Sequence, residues 1–208
     1  MLSGPSTTVL FDWNGTVVLD TDRAHDALND VLTCRGLPTL DTAAFRREFH
    51  LPMADMFRRL GVEDTASAEI DWNTSIAAAP TLARDGAAAL HRLRADGMRL
   101  GVVSAASEAA VRSDMAALRL GGLWDSVDAP ASDKLEVLRA RRGAERAAYY
   151  VGDTVYDMRC AVAAGFIPLA VDRGYTDAAA LVDAGARAVL SSFDELPEVI
   201  RDILTPQR

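Results

Sequence analysis

The sequence predicts an α/β fold in which a parallel sheet with helices on both faces is interrupted, early in the chain, by an all-helical insertion. Three observations lead there. The run Thr8-Val9-Leu10-Phe11 is β-branched and apolar and stops at Asp12, as a buried strand does when it delivers a carboxylate to its own carboxyl end. From about residue 22 to residue 79, the apolar positions recur only at helical spacing. After Pro80, strand and helix alternate to the end of the chain, at lengths that imply βα units with right-handed crossovers.

In chain order, the first strand ends near Trp13, and Gly15 permits a tight turn whose amides can point at an anion. Ala24, Leu28, Val31 and Leu32 then mark a helix that Gly36 and Pro38 stop. A second helix covers residues 42–49, with Asp41 as its N-cap. A third starts after Pro52, ends at Gly61 and buries Met53, Met56, Phe57 and Leu60; a fourth spans residues 64–79. The alternating part begins with a helix at 86–95 and a strand at 98–103 that ends at Ser104. A helix at 108–118, a short strand at 124–128 and a helix at 134–142, capped by Ser132 or Asp133, follow. Next come a strand at 147–151 ending at Gly152-Asp153, a helix at 156–164 stopped by Gly165, and a strand at 167–171. A helix at 178–184, a strand at 188–190 and a helix from Leu196 close the chain. Residues 1–20 and 81–208 thus read as the α/β core, and residues 21–80 as a helical cap inserted after the first strand.

Composition narrows the function classes. With 208 residues, 50% hydrophobic and 25% charged, the chain can bury a full core plus a small insertion. A net charge of -8 argues against nucleic acid or an anionic membrane as partner, while allowing a local basic pocket. Cys34 and Cys160 are too few for a zinc site or a disulfide framework, so both read as small core residues in a reducing compartment. The stretch Met1-Leu2-Ser3-Gly4-Pro5 lacks a charged region and an apolar region, and no apolar run reaches the length of a membrane span; the expected location is the cytoplasm.

The chemistry-bearing residues fall where the strands end. Asp12, Ser104 and Asp153 each follow a strand, Lys134 opens a helix, and Asp157 lies four positions after Asp153. In a parallel sheet these ends share one edge and can surround one small volume. Asp12, Asp153 and Asp157 offer the oxygen ligands that octahedral Mg²⁺ requires. Ser104 offers a hydrogen bond and Lys134 a positive charge to phosphate oxygens, and Asp12 is placed to attack phosphorus. Lys134 is the only lysine in a chain that otherwise writes its cations as arginine, which fits a task for a compact point charge.

Four motifs then carry a resemblance: Asp12-Trp13-Asn14-Gly15-Thr16, Leu100-Gly101-Val102-Val103-Ser104, Lys134, and Gly152-Asp153-Thr154-Val155-Tyr156-Asp157. The chain resembles the haloacid dehalogenase superfamily, specifically its phosphoglycolate-phosphatase-like phosphatases with a helical cap. The resemblance implies a Rossmann-like core and Mg²⁺-dependent hydrolysis of a small phosphorylated metabolite through an aspartyl-phosphate on Asp12. It further implies catalytic roles for Asp12, Asn14, Thr16, Ser104 and Lys134. Metal ligands would come from Asp12, Asn14, Asp153 and Asp157, and substrate contacts from Gly15, Ser104, Ala105, Lys134, His25 and Arg58.

One position departs from that pattern. Such phosphatases carry a second aspartate two places after the nucleophile, and here that place holds Asn14, which hydrogen-bonds but does not transfer a proton. Four readings stay open: a substrate with a good leaving group, another proton source such as His25, an engineered change that traps a complex, or a phospholigand binder without turnover. A phosphomutase is a further alternative. The cap holds no lysine, which argues against the imine chemistry of phosphonoacetaldehyde hydrolases. The pair Asp153 and Asp157 argues against the metal-free dehalogenases. Trp13 is expected to pack against the cap hinge.

Overall fold

A computed structural model describes residues 7–50, 53–78 and 80–204. Its sheet has six parallel strands: β1 (Thr8–Phe11), β2 (Arg99–Val103), β3 (Ser126–Asp128), β4 (Ala148–Gly152), β5 (Ile167–Val171) and β6 (Ala188–Leu190), in the spatial order β3-β2-β1-β4-β5-β6. Thr8 pairs with Arg99 on one side and Ala148 on the other, so β1 lies at the centre. The chain builds outward through β2 and β3, then returns to the far side of β1 and builds through β4, β5 and β6. That reversal puts the topological switch point at the carboxyl ends of β1 and β4, where adjacent crossovers part.

Every residue of β1 and β4 is buried, as expected for parallel strands covered on both faces. Alternation along the strands sorts the side chains into two layers. Val9, Phe11, Tyr149 and Val151 face a core shared with Leu90 and Leu93 of α5 (Ala88–Ala95), Val111 and Met115 of α6 (Glu108–Ala117), and Ile200 of α10 (Leu196–Leu204). Leu10, Ala148 and Tyr150 face the other way, toward Leu138 of α7 (Lys134–Arg141) and Cys160 and Ala161 of α8 (Val155–Ala163). A short helix α9 (Ala178–Asp183) joins β5 to β6, and both edge strands are three residues long, which limits unwanted pairing.

The chain divides into two compact units, one made of the residues through Leu19 and from Thr81 onward, the other of Asp20–Pro80. The second unit holds α1 (Thr21–Cys34), α2 (Thr42–Glu48), α3 (Met53–Arg59) and α4 (Thr65–Ala78), and no strand among its described residues. Its core is Ala24, Leu28, Val31, Leu32, Phe45, Met53, Met56, Phe57 and Val62. Asp41 caps α2 as expected, accepting from the Ala44 N–H at 2.7 Å. Within the first unit, the segments that leave and re-enter it are paired: the Leu19 N–H donates to Leu82 O (2.8 Å) and the Arg84 N–H to Val17 O (2.9 Å).

Some expectations need correction. Cys34 is exposed, not a core residue, because at the end of α1 it lies off the buried stripe of Ala24, Ala27, Leu28, Val31 and Leu32. Leu60 is half-buried. The turn at Phe193–Glu195 is a short 3₁₀ helix with a Ser192/Glu195 capping box, a signal present in the sequence and not used. Pro52, Ala79 and the first five residues lie outside the described residues. No helix among the described residues is long and apolar enough to cross a membrane.

Candidate active site

Asp12 leaves the end of β1 with its main-chain N–H still bonded to Val151 O of β4 (2.9 Å), so the side chain starts from backbone tied into the centre of the sheet. Asp153 follows β4. Asp157 sits in the first turn of α8, where a reciprocal cap holds it: its N–H donates to Thr154 Oγ1 (3.1 Å) and its carboxylate accepts from the Thr154 N–H (3.1 Å). Lys134 is the first residue of α7, whose start is fixed by Asp133 accepting from the Glu136 N–H (3.0 Å).

These elements bring four charged side chains together in a buried space. One carboxylate oxygen from each of Asp12, Asp153 and Asp157 lies within 4.8 Å of the others. Lys134 Nζ bridges Asp12 Oδ1 at 2.8 Å and Asp157 Oδ1 at 2.7 Å. The Tyr150 hydroxyl lies 3.2 Å from the same Asp157 oxygen and 3.2 Å from Val103 O. Asp153 is held differently, by the Thr16 hydroxyl donating to Oδ1 (3.0 Å) and the Tyr175 N–H donating to Oδ2 (2.7 Å). Glycines wall it in: a Cβ on Gly15 or on Gly174 would lie 2.3 Å from Asp153 Oδ2, and Gly15 is at φ +75°.

The electrostatics follow from the count of charges. One buried lysine stands among three buried carboxylates. Burial, with the charge of Asp157 added, pushes Asp12 up from 3.8 to about 7 against the opposing pull of Lys134. Burial beside Asp12 and Asp157 raises Asp153 well above the usual carboxylate range. Burial alone would lower the Lys134 ammonium, yet Asp12 and Asp157 hold it well above its ordinary value. An oxygen-rich, buried cluster with uncompensated negative charge suits a hard divalent cation, which would lower the self-repulsion that raises these groups.

The other residues singled out in the sequence are placed as follows. Ser104, buried at the end of β2, accepts from the Ala106 N–H at its Oγ (3.1 Å), and Ala105 beside it is exposed. Asn14 is half-buried in a bridge with Val18. Trp13 is fully buried within the sheet core, edge-on to Trp124 at 5.8 Å. Its indole N–H donates to Asp114 (3.0 Å), whose other oxygen accepts from the Thr81 hydroxyl (2.9 Å) of the returning hinge segment, and it shares the core with Val17 and Val18 of the departing one. His25 and Arg58 belong to the helical unit. The His25 ring lies 2.7 Å from Leu40 O and 5.0 Å from the Phe45 ring, and Arg58 pairs with Asp55 at 2.6 Å.

Sequence reading missed two buried residues at the site. Tyr150 was read only as part of a strand, although a tyrosine inside an otherwise apolar central strand needs a hydroxyl partner. Arg84, 1% exposed, donates to the main-chain oxygens of Gly15 and Thr16, and its sequence context carries no signal of that.

A family model described as haloacid dehalogenase-like hydrolase matches residues 9–171. No curated protein matches the chain significantly. Among solved structures, the fold is similar to that of a predicted phosphatase from Clostridium acetobutylicum (TM-score 0.78, 21% identity, 96% of this chain and 100% of that chain covered). It is also similar to a haloacid dehalogenase-like family hydrolase from Streptococcus pneumoniae (0.79, 19%, 96% and 100%) and to protein tyrosine kinase A of Mycobacterium tuberculosis (0.74, 22%, 95% and 99%).

Proposed function

The chain belongs to the haloacid dehalogenase-like hydrolase family, and from that premise we propose that it is a Mg²⁺-dependent phosphohydrolase acting on a small phosphate monoester in the cytoplasm. The observation that carries this reading is the buried triad Asp12, Asp153 and Asp157 bridged by Lys134. Asp12, Asp153 and Asp157, with the main-chain carbonyl of Asn14, would hold Mg²⁺, which supplies the neutralisation that lets a carboxylate approach a phosphate.

Asp12 is the nucleophile. One of its oxygens attacks phosphorus, the bond from phosphorus to the ester oxygen breaks with its electron pair going to that oxygen, and an aspartyl-phosphate forms as the alkoxide or phenolate leaves and takes its proton from solvent. Water then attacks the same phosphorus, and the bond to the Asp12 oxygen breaks to give inorganic phosphate and the free carboxylate. Lys134 sits against the attacking carboxylate and places its charge where the phosphoryl oxygens gather theirs; the Ser104 hydroxyl donates to one of those oxygens. Thr16 holds Asp153 in place. Asn14 hydrogen-bonds the leaving oxygen without giving it a proton, so turnover favours esters whose leaving group needs little protonation. The helical unit carries substrate selectivity, with His25 and Arg58 as its candidate contacts.

Asn14 also supports a second reading, a phospholigand-binding protein that retains the fold and the metal site but turns over slowly. Phosphate release from p-nitrophenyl phosphate, with and without Mg²⁺, decides between them. Mg²⁺-dependent release lost in Asp12→Ala supports the hydrolase; tight Mg²⁺-dependent phosphate binding with no release supports the binder.

A further inference from the structure

Arg84 is the one fully buried arginine side chain in direct contact with the Asp12 turn among the described residues. Its Nε donates to Thr16 O at 2.7 Å and a terminal nitrogen donates to Gly15 O at 2.7 Å, so the planar fork grips two successive carbonyls. Both residues touch Asp153, as Gly174 and Tyr175 also do. Thr16 supplies the hydroxyl on its Oδ1, and Gly15 is the wall that its Oδ2 packs against. Lys134 pairs with Asp12 and Asp157, while Asp153 draws on Arg84 through a single intervening residue. The remaining guanidinium nitrogen faces Asp172 at 3.8 Å, and the Phe193 ring lies 6.0 Å away.

We infer that Arg84 is a positioning residue that sets Asp153 against Asp12 by clamping the Gly15–Thr16 turn, an inference that rests on the reading of the aspartate triad as a Mg²⁺ site. The clamp fixes one of the two donors to Asp153 and one of the two glycines that wall it in. Its position in the chain adds a second link. Arg84 stands three residues into the segment that returns from the helical unit, and its own N–H bonds to Val17 O in the departing segment (2.9 Å). One residue thereby joins the paired hinge segments to the turn after Asp12.

The test is a Mg²⁺ titration by calorimetry on the full chain, comparing wild type with Arg84→Lys and Thr16→Val, with unfolding measured in EDTA alongside. Lysine keeps the charge but cannot hold two carbonyls with one nitrogen. Arg84→Lys is expected to bind Mg²⁺ about 10–100-fold more weakly, the usual effect of losing a group that orients a ligand. Phosphate release should then show a lower kcat with KM for p-nitrophenyl phosphate unchanged. Thr16→Val leaves both Arg84 bonds in place and cuts the next link, so it should weaken Mg²⁺ similarly and be non-additive with Arg84→Lys. A folded Arg84→Lys that loses stability but binds Mg²⁺ within about twofold of wild type overturns the inference and leaves a purely structural anchor. If Arg84→Lys does not fold, unchanged Mg²⁺ affinity in Thr16→Val overturns it. Wild type that binds no Mg²⁺ sinks the triad reading and the inference together. Wild type that binds Mg²⁺ but releases no phosphate sinks only the hydrolase reading, and the affinity comparison still decides Arg84.

Discussion

Removing the charge of Asp12 should make the metal-free protein less sensitive to rising pH. In the folded chain Asp12 titrates at about 7, against 3.8 in an exposed chain, because burial and Asp157 outweigh Lys134. The folded state therefore holds more protons than the unfolded state between those values, and stability falls as pH climbs through the window. A shift of this size corresponds to about 4 kcal/mol once the group is fully ionised, of which about 2–3 kcal/mol is lost between pH 5 and pH 8. Asp153, raised for the same reason, acts in the same direction. Urea unfolding of wild type and Asp12→Asn in EDTA at pH 5, 6, 7 and 8 measures this. The asparagine variant starts from a constant offset, since it loses the ion pair with Lys134, and it is the difference in slope that matters. Wild type should lose stability relative to Asp12→Asn as pH rises, and saturating Mg²⁺ should flatten the wild-type curve. Two parallel curves in EDTA would refute the argument that the triad is an uncompensated cluster of charge.

Three further outcomes are expected. Asn14→Asp should speed hydrolysis of alkyl phosphates by about 10²-fold or more while changing p-nitrophenyl phosphate little, as measured by phosphate release, because only the poor leaving group lacks a proton. Lys134→Met should cost about 3–5 kcal/mol in EDTA at pH 7.5 by urea unfolding, since it strands two buried carboxylates. Gly174→Ala places a Cβ 2.3 Å from Asp153 Oδ2 and should weaken Mg²⁺ binding about 10–100-fold in calorimetry with helix content by circular dichroism unchanged.

What could be read from the sequence depended on how far each side chain reaches for its partners. Asp12, Ser104 and Asp153 follow strands, so once the strands were recognised their common edge followed from the parallel topology. Asp157 and Lys134 lie in first helical turns whose caps, Thr154 and Asp133, are local signals. Arg84 has no such signal, because its partners are main-chain oxygens 68 and 69 residues away and any arginine on a surface loop would look the same. Trp13 was placed on the hinge from its position next to Asp12. It shares a core with Val17 and Val18 of that hinge, while its edge-on partner Trp124, more than a hundred residues later, left no local signal. Cys34 was misjudged from its residue type, which favours burial, where its place at the end of α1 decided otherwise.

The paired exit and return at Val17–Leu19 and Leu82–Arg84 make the second unit a loop whose two ends are already tied by main-chain hydrogen bonds. The entropy of closing a long loop grows only logarithmically with its length, and the tie is anchored in the first unit. Changing the length of the insert between Leu19 and Thr81 is therefore expected to cost the sheet and its acidic cluster little. On the function proposed above, selectivity and chemistry would then diverge separately, one by exchange of the insert, the other by point changes at the strand ends. Arg84 limits that independence, since any replacement insert must return the chain to the same three-residue approach.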